Sequence, residues 1–201
     1  LAGAGELELT GAKTTLKNTT TTGSTKVNVN GGDLEFETST FTSTGTLAVA
    51  SGNLTSANNG AASVGALDFT GGKIDAKVTA GSAALTGNAT KTIGSAGELI
   101  LSGTAASTFT GGALSNQGKL THGSGATDIQ TALTNTGTVT ASAGTLKFSG
   151  GGSSAGTVSV GTGAKLQVGG TTNFTFDSAT LAGAGELELP GAQTTLKNTP
   201  T

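Results

Sequence analysis

LAGAGELELTGAKTTLKNTTT, residues 1–21, returns at the other end of the sequence as LAGAGELELPGAQTTLKNTPT, residues 181–201. The offset between the two copies is constant, and they agree at 18 of 21 positions. They differ at Thr10 against Pro190, Lys13 against Gln193 and Thr20 against Pro200. Self-similarity at a fixed spacing is the signature of repeat architectures. We therefore predict that residues 1–180 form one block of a tandem array and that residues 181–201 begin the next block.

Inside the copied stretch, GELEL (Gly5–Leu9) alternates apolar and charged side chains, and related motifs recur along the chain. Alternation with a period of two predicts a short β-strand with one buried face, and the leading glycine predicts a turn. The related motifs are GDLEF (Gly32–Phe36), GTLAV (Gly45–Val49), GALDF (Gly65–Phe69), GELIL (Gly97–Leu101), GTLKF (Gly144–Phe148), GTVSV (Gly156–Val160) and GELEL (Gly185–Leu189).

The apolar positions of these strands recur at a constant interval, in a first series that starts at Leu7 and a second that starts at Leu34. We interpret Val139 with Leu146, and Val158 with Leu166, as later copies of the same pair of positions. A third apolar position falls between the two series at Leu16, Phe41 and Val64. The predicted buried ladder comprises Leu7, Val27, Leu47, Leu67, Leu34, Leu54, Ile74, Val139, Leu146, Val158, Leu166 and Leu187.

Three short strands in each 20-residue coil predict an all-β fold, a triangular parallel β-solenoid (β-helix) with about nine coils per 180-residue block. At a strand spacing of about 4.8 Å, nine coils would rise by about 43 Å. The 20-residue register slips between Lys77 and Gly97 and between Gly169 and Leu181, so we expect a long loop or an irregular coil at both places. Outside the coils, Glu6 should lie beneath Lys26.

The amino-acid composition argues against several classes of function. The chain is 34% hydrophobic and 11% charged, with 35 Gly, 7 Phe and no Trp, Tyr, Cys or Met, so we predict a thin core rather than a bulky one. A net charge of −2, with all 10 basic residues Lys, argues against nucleic-acid binding. The sequence holds no apolar run long enough for membrane insertion, and the absence of cysteine excludes disulfides and cysteine metal sites.

GTVTASAGTLKFSGGGSSAGTVSVGTGAKLQVGG (Gly137–Gly170) resembles the passenger regions of bacterial autotransporter and filamentous-haemagglutinin-like surface proteins. Those families carry runs of the form N-x-G-T-[VL]-x-V, which Asn135, Gly137 and Val139 match, and which Asn116 matches with Lys119 in place of Thr. The resemblance implies a right-handed parallel β-helix that is secreted or displayed on a bacterial cell, often in adhesion, aggregation or a biofilm matrix. It implies no particular ligand.

We predict no catalytic, cofactor-binding or metal site. His122, the single histidine, follows a strand and is expected to be an exposed turn residue. The carboxylate pairs Glu6/Glu8, Glu35/Glu37 and Glu186/Glu188 are expected on solvated strand faces, whereas a glycosidase places two carboxylates around a sugar with one pKa raised. Gly31-Gly32-Asp33 is only a weak echo of calcium-binding repeats.

The sequence therefore predicts a structural or adhesive segment of a long extracellular protein, not an enzyme, that associates with itself along the solenoid axis through open sheet edges. A glycan- or receptor-binding module is the main alternative, and solvent-facing Phe174 and Phe176 would favour it. The Thr-x-Thr run from Thr38 to Thr46 leaves an ice-binding solenoid open, although positions 62 and 82 are Ala and Ser. A non-catalytic relative of the polysaccharide-active β-helices and a pair of immunoglobulin-like domains are further alternatives.

Overall fold

The computed structural model describes residues 3–19, 23–38, 40–190 and 193–199, and these ranges contain 23 β-strands and no helix. The strands are β1 (Glu6–Thr10), β2 (Thr14–Lys17), β3 (Lys26–Glu37), β4 (Thr40–Ala57), β5 (Ala61–Phe69), β6 (Gly72–Asp75), β7 (Lys77–Leu85), β8 (Lys91–Ile93), β9 (Glu98–Leu101), β10 (Ser107–Phe109), β11 (Ala113–Asn116), β12 (Lys119–His122), β13 (Ala126–Ile129), β14 (Ala132–Asn135), β15 (Thr138–Ala141), β16 (Thr145–Phe148), β17 (Gly152–Ser154), β18 (Thr157–Val160), β19 (Lys165–Val168), β20 (Phe174–Asp177), β21 (Thr180–Gly183), β22 (Glu186–Glu188) and β23 (Thr194–Lys197).

The strands form three parallel ladders, one on each side of a coil. From β9 onward each strand pairs with the strand three places later, so β10, β13, β16, β19 and β22 form one ladder. The longer strands bend round corners, so that β3, β5 and β7 contribute to two ladders each and β4 contributes to all three. The predicted parallel β-solenoid with three strands per coil is confirmed, and its right-handed sense stays a prediction.

The first face of the solenoid is the ladder that contains Leu7. The inward column there runs through Val27, Leu47 and Leu67, continues through Leu146 and Leu166, and ends at Leu187. Leu187 therefore lies nine coils above Leu7, in the same column as its copy in the sequence. The second face carries Leu34, Leu54 and Ile74 in one inward column, as predicted.

Two assignments within the predicted ladder are wrong. Leu146 and Leu166 lie in the first-face column, whereas Val139 and Val158 lie on a third face, in line with Leu99 and Leu120. Each coil has three corners, so the same sequence spacing arises across more than one of them. The residues predicted for the third apolar position likewise do not share one column. Leu16 pairs with Phe36 on the second face, whereas Phe41 and Val64 lie on the third face.

The coils change length where the sequence register slips. Leu47 pairs with Leu67 in a regular coil, whereas Leu67 pairs with Ala83 after a shorter step, and Leu85 pairs with Phe109 after a longer one. Near the other slip, the step from Val158 to its partner Leu181 is also longer than a regular coil. These are irregular coils, as predicted, and the β-ladders run through both of them.

Stacked Leu, Val, Ile and Phe side chains fill the interior, and Leu34, Phe69 and Phe109 are fully buried. The corners need glycine for two different reasons. Gly144 has a φ of +68°, which L-residues rarely adopt. Gly137 has an ordinary φ, but a Cβ there would overlap the carbonyl oxygen of Gly118 in the coil below. Glycine is therefore required at some corners by a positive φ and at others by the close approach of the coil below.

Candidate functional site

The outward side chains form rows that pair from coil to coil. Glu6 lies under Lys26 with a carboxylate–ammonium distance of 4.0 Å, as predicted. On the second face, Lys13 Nζ lies 2.6 Å from Glu35 Oε2, and Lys17 Nζ lies 3.2 Å from Glu37 Oε1. Such exposed pairs contribute about 0–1 kcal/mol each, so their main effect is on which coils can stack in which register.

The paired carboxylates have the electrostatics of ion pairs. The hydrogen bond from Lys13 lowers the pKa of the Glu35 carboxyl. Hydrogen bonds from Lys165 and Gln167 lower the pKa of the Glu188 carboxyl, and the same contact with Glu188 raises the pKa of Lys165. A general acid at a sugar-cleaving site needs a raised carboxyl pKa, so the shifts at these two carboxylates run in the opposite direction.

His122 is buried, and the prediction of an exposed turn residue is wrong. It is the last residue of β12, and only 1% of it is exposed. Its Nε2 lies 3.3 Å from the Gly125 carbonyl oxygen, while its Nδ1 is buried without a hydrogen-bond partner. Burial lowers the pKa of the imidazole, against a smaller raising effect from the Gly125 carbonyl. The signal in the sequence is the alternation from Leu120, which places His122 on the inward side.

A short polar ladder interrupts the apolar interior of the second face. Asn116, Asn135 and Ser154 stack in the column that Leu34 occupies lower down, and each is almost fully buried. Asn116 Nδ2 donates to Asn135 Oδ1 at 2.7 Å, and Asn135 Nδ2 donates to Ser154 Oγ at 2.9 Å. Asn116 Nδ2 also donates to the Thr138 carbonyl oxygen at 3.0 Å, which ties the corner to the next coil. These asparagines belong to the motif that carries the family resemblance.

Lys91 is a further buried polar residue that sequence reasoning missed. It is fully buried, and its Nζ donates to the carbonyl oxygens of Gly87 at 2.7 Å and Gly111 at 2.8 Å. Desolvation lowers the pKa of its ammonium group. Lys91 lies two residues before the buried Ile93 in β8, so the strand alternation predicts that its side chain points inward. Both contacts are to corner carbonyls, so the lysine serves to satisfy backbone groups inside the solenoid.

The first face carries two shallow cavities between its outward rows. One of about 230 Å³ is lined by Glu8, Lys26 and Asp68. The other, of about 330 Å³, is lined by Asp128, Lys147 and neighbouring small residues. Both are polar at their edges and have Ala residues in their linings, so they could accommodate hydroxyl-rich groups.

Two features that would favour ligand binding, a solvent-facing aromatic pair and a continuous threonine row, are not present at the residues considered for them. Phe174 and Phe176 are buried core residues that contact each other, with ring centroids 4.9 Å apart. Exposed Thr40 and Thr42 pair with Ala61 and Ser63 in the next coil, so the threonine row does not continue. A flat threonine array and an exposed aromatic platform are therefore not formed by these residues.

The most distinctive surface is the edge of the last coil, which we name the terminal edge and define as residues 181–190 and 193–199. It holds the large hydrophobic side chains that are exposed in the described part of the chain, Leu187 at 38%, Leu189 at 46% and Leu196 at 47%. A cavity of about 170 Å³ opens beside them, lined in part by Val160, Leu166 and Leu187. Within the described residues, the terminal edge is an apolar continuation of the core.

Comparison with protein-family models, curated proteins and solved structures gives no significant match. Among the described residues, no cluster of three or more His, Asp and Glu side chains is arranged to hold a metal ion. Within the same ranges, no helix of membrane-spanning length and apolarity occurs.

Proposed function

We propose that this chain is a structural segment of a long extracellular or cell-surface protein, in which solenoid blocks continue end to end as a rod or filament. The observation that carries the proposal is the unbroken first-face column from Leu7 to Leu187. On this face the copied strand lies in the same column as its original, so a further block would extend the same solenoid without a new fold. Stability in such arrays is approximately a sum of neighbour terms.

The exposed leucines of the terminal edge support the same proposal. Complete burial of a leucine side chain contributes about 1.5–3 kcal/mol. Since 38–47% of Leu187, Leu189 and Leu196 is exposed, covering all three would contribute about 2–4 kcal/mol. A further coil on this edge is therefore favoured by the same burial that stabilises the interior.

Electron microscopy of the purified chain tests this proposal. We expect unbranched thin rods, and rods with an axial repeat of about 43 Å would match nine coils at strand spacing. Compact monomers at every concentration, with no axial repeat, would refute the assembly.

Binding of a glycan or a cell-surface receptor is the second candidate, and the two polar cavities on the first face favour it. Oligosaccharide hydroxyls would hydrogen-bond to carboxylates such as Asp68 and Asp128 there. Screening a glycan array with wild type and with Asp128→Ala tests this candidate, because binding at the larger cavity should be lost in the variant. A wild type that retains no glycan would remove it.

A further inference from the structure

We propose that the third face of the solenoid binds ice through regularly spaced hydroxyl groups. These groups, which we name the hydroxyl array, belong to Thr121, Thr138, Thr140, Thr157, Ser159 and Thr180. Five of the six residues lie on β12, β15 and β18, and each of these strands pairs with a neighbour on both sides. Ice binding at the array is therefore a separate function that does not depend on end-to-end assembly.

Two parallel outward rows form the array, and strand pairing sets both. The first row runs through Thr138, Thr157 and Thr180. The second row runs through Thr121, Thr140 and Ser159. Neighbours within a row are one strand spacing apart, about 4.8 Å, and the two rows are two residues apart along the strand, about 6.6 Å. Glu98 and Ile100 of β9 separate this two-dimensional lattice from the lower part of the same rows.

The hydroxyl groups of the array are available to water. Within the described residues, none of the six donates a hydrogen bond to another protein group, and all six residues are partly or fully exposed. Hydroxyls at the corners differ, since Thr44 Oγ1 donates to the Gly23 carbonyl oxygen at 2.8 Å and Thr131 Oγ1 donates to the Gly111 carbonyl oxygen at 3.2 Å. A hydroxyl both donates and accepts, so each free group can take either role towards a water molecule.

The oxygen positions in the array are held by stiff side chains on a packed sheet. Five of the six residues are Thr, whose branched side chain restricts χ1. The strands are anchored from behind by the buried side chains of Val139 and Val158. Little side-chain freedom is therefore lost on binding, which favours attachment to a rigid lattice through several weak hydrogen bonds.

The charge distribution favours an uncharged partner on this face. From Gln130 to Phe176 the charged residues are Lys147 and Lys165, and both lie on the first face. Lys119, beneath Thr138, marks the lower border of the array. A lysine ammonium group is strongly hydrated, and its water shell does not match the ice lattice. An uncharged patch of hydroxyls avoids this mismatch.

The array lacks the features of a sugar-binding pocket. Such a pocket is concave and lined in part by aromatic side chains. All seven Phe residues are buried, and the chain has no Trp or Tyr. The array also contains no carboxylate. Ice, whose water molecules donate and accept on a regular lattice, is therefore the partner that the array fits best.

Nanolitre osmometry of the full chain tests the inference. Wild type should open a gap between the melting and freezing temperatures of an ice crystal, and the crystal should grow facets. The gap should widen as the protein concentration rises. During slow freezing, wild type should also be enriched in the ice fraction relative to an inert globular protein.

Three variants locate the site. Thr140→Lys places a long, hydrated side chain in the middle of the second row and should abolish the gap. Thr134→Lys makes the same change on the same coil but on the second face, between Ser115 and Ser153, and should keep the gap. Thr140→Val retains the branched shape and loses only the hydroxyl, so it should narrow the gap. Circular dichroism measures whether each variant keeps the strand content of wild type.

The inference is overturned if wild type shows neither the gap nor enrichment in ice at any soluble concentration. It is also overturned by an unchanged gap in Thr140→Lys or Thr140→Val, or by loss of the gap in Thr134→Lys alone. Wild type that shows no gap but sediments with insoluble cellulose or chitin, in a manner that Thr140→Lys abolishes, would assign the array to a crystalline polysaccharide instead. Electron micrographs report on the proposed function separately, because rods without the gap refute ice binding alone and the gap without rods refutes the filament alone.

Discussion

Removing the buried amide at the centre of the polar ladder should destabilise the solenoid far more than its small size suggests. In Asn135→Ala, Asn116 Nδ2 loses its acceptor at 2.7 Å, and Ser154 Oγ loses its donor at 2.9 Å. Asn116 keeps its bond to the Thr138 carbonyl, so it is only partly unsatisfied. Ser154 is left buried with that donor removed.

The magnitude follows from the desolvation of those groups. A buried polar group left without a partner costs about 1–3 kcal/mol, and each net hydrogen bond contributes about 1 kcal/mol. One group fully and one partly unsatisfied therefore predict a loss of about 2–4 kcal/mol in the free energy of unfolding. That is a large fraction of the roughly 5–15 kcal/mol of a typical domain.

Urea unfolding followed by circular dichroism measures this loss, since the chain has no Trp or Tyr for fluorescence. The neighbouring outward residue provides the control, and Thr134→Ala should change stability by less than about 0.5 kcal/mol. Asn116→Ala combined with Asn135→Ala should cost less than the sum of the single changes, because the two residues share a bond. A loss below about 0.5 kcal/mol in Asn135→Ala, within the range of a surface change, would refute the reasoning.

Three further predictions concern single positions. Because burial lowers the folded-state pKa of His122 below 6.5, stability present above pH 6.5 should fall as the pH drops through that lowered value, and His122→Leu should remove this dependence in acid titrations. Gly137→Ala should cost about 1–3 kcal/mol by forcing a Cβ onto the coil below, while Gly5→Ala, which has open space around it, should unfold at the wild-type urea concentration. Because desolvation lowers the pKa of Lys91 below 10.5, stability should rise as the pH approaches 10.5, and an unchanged rise in Lys91→Met would contradict that assignment.

The repeat and the strand alternation are enough to predict the solenoid, because both follow from local pattern. Corner lengths are not predictable from them. A corner can gain or lose residues without changing the strand on either side, so Val139 and Leu146 have the expected separation in sequence and still belong to other faces than predicted.

The burial of the polar residues was not predicted from the sequence for a different reason. Residue type argues for exposure of His122 and Lys91, although alternation from Leu120 and Ile93 places both on the inward side. Their burial is possible because corner carbonyls lie within reach inside a narrow coil. In a solenoid of this width, strand register predicts burial better than polarity does.

The irregular coils explain why the duplication works as a structural unit. The step from Leu67 to Ala83 is shorter than the regular step from Leu47 to Leu67, and the next step along that ladder, from Ala84 to Thr108, is longer by the same amount. The short coil is thus offset by a long one, and Leu187 returns to the column of Leu7. On the second face the copy is displaced, since Leu196 stacks in the column of Thr14 rather than that of Leu16. A displacement by one full period of the strand alternation keeps the same side chains inward, so the block can repeat even though one of its corners does not close in register.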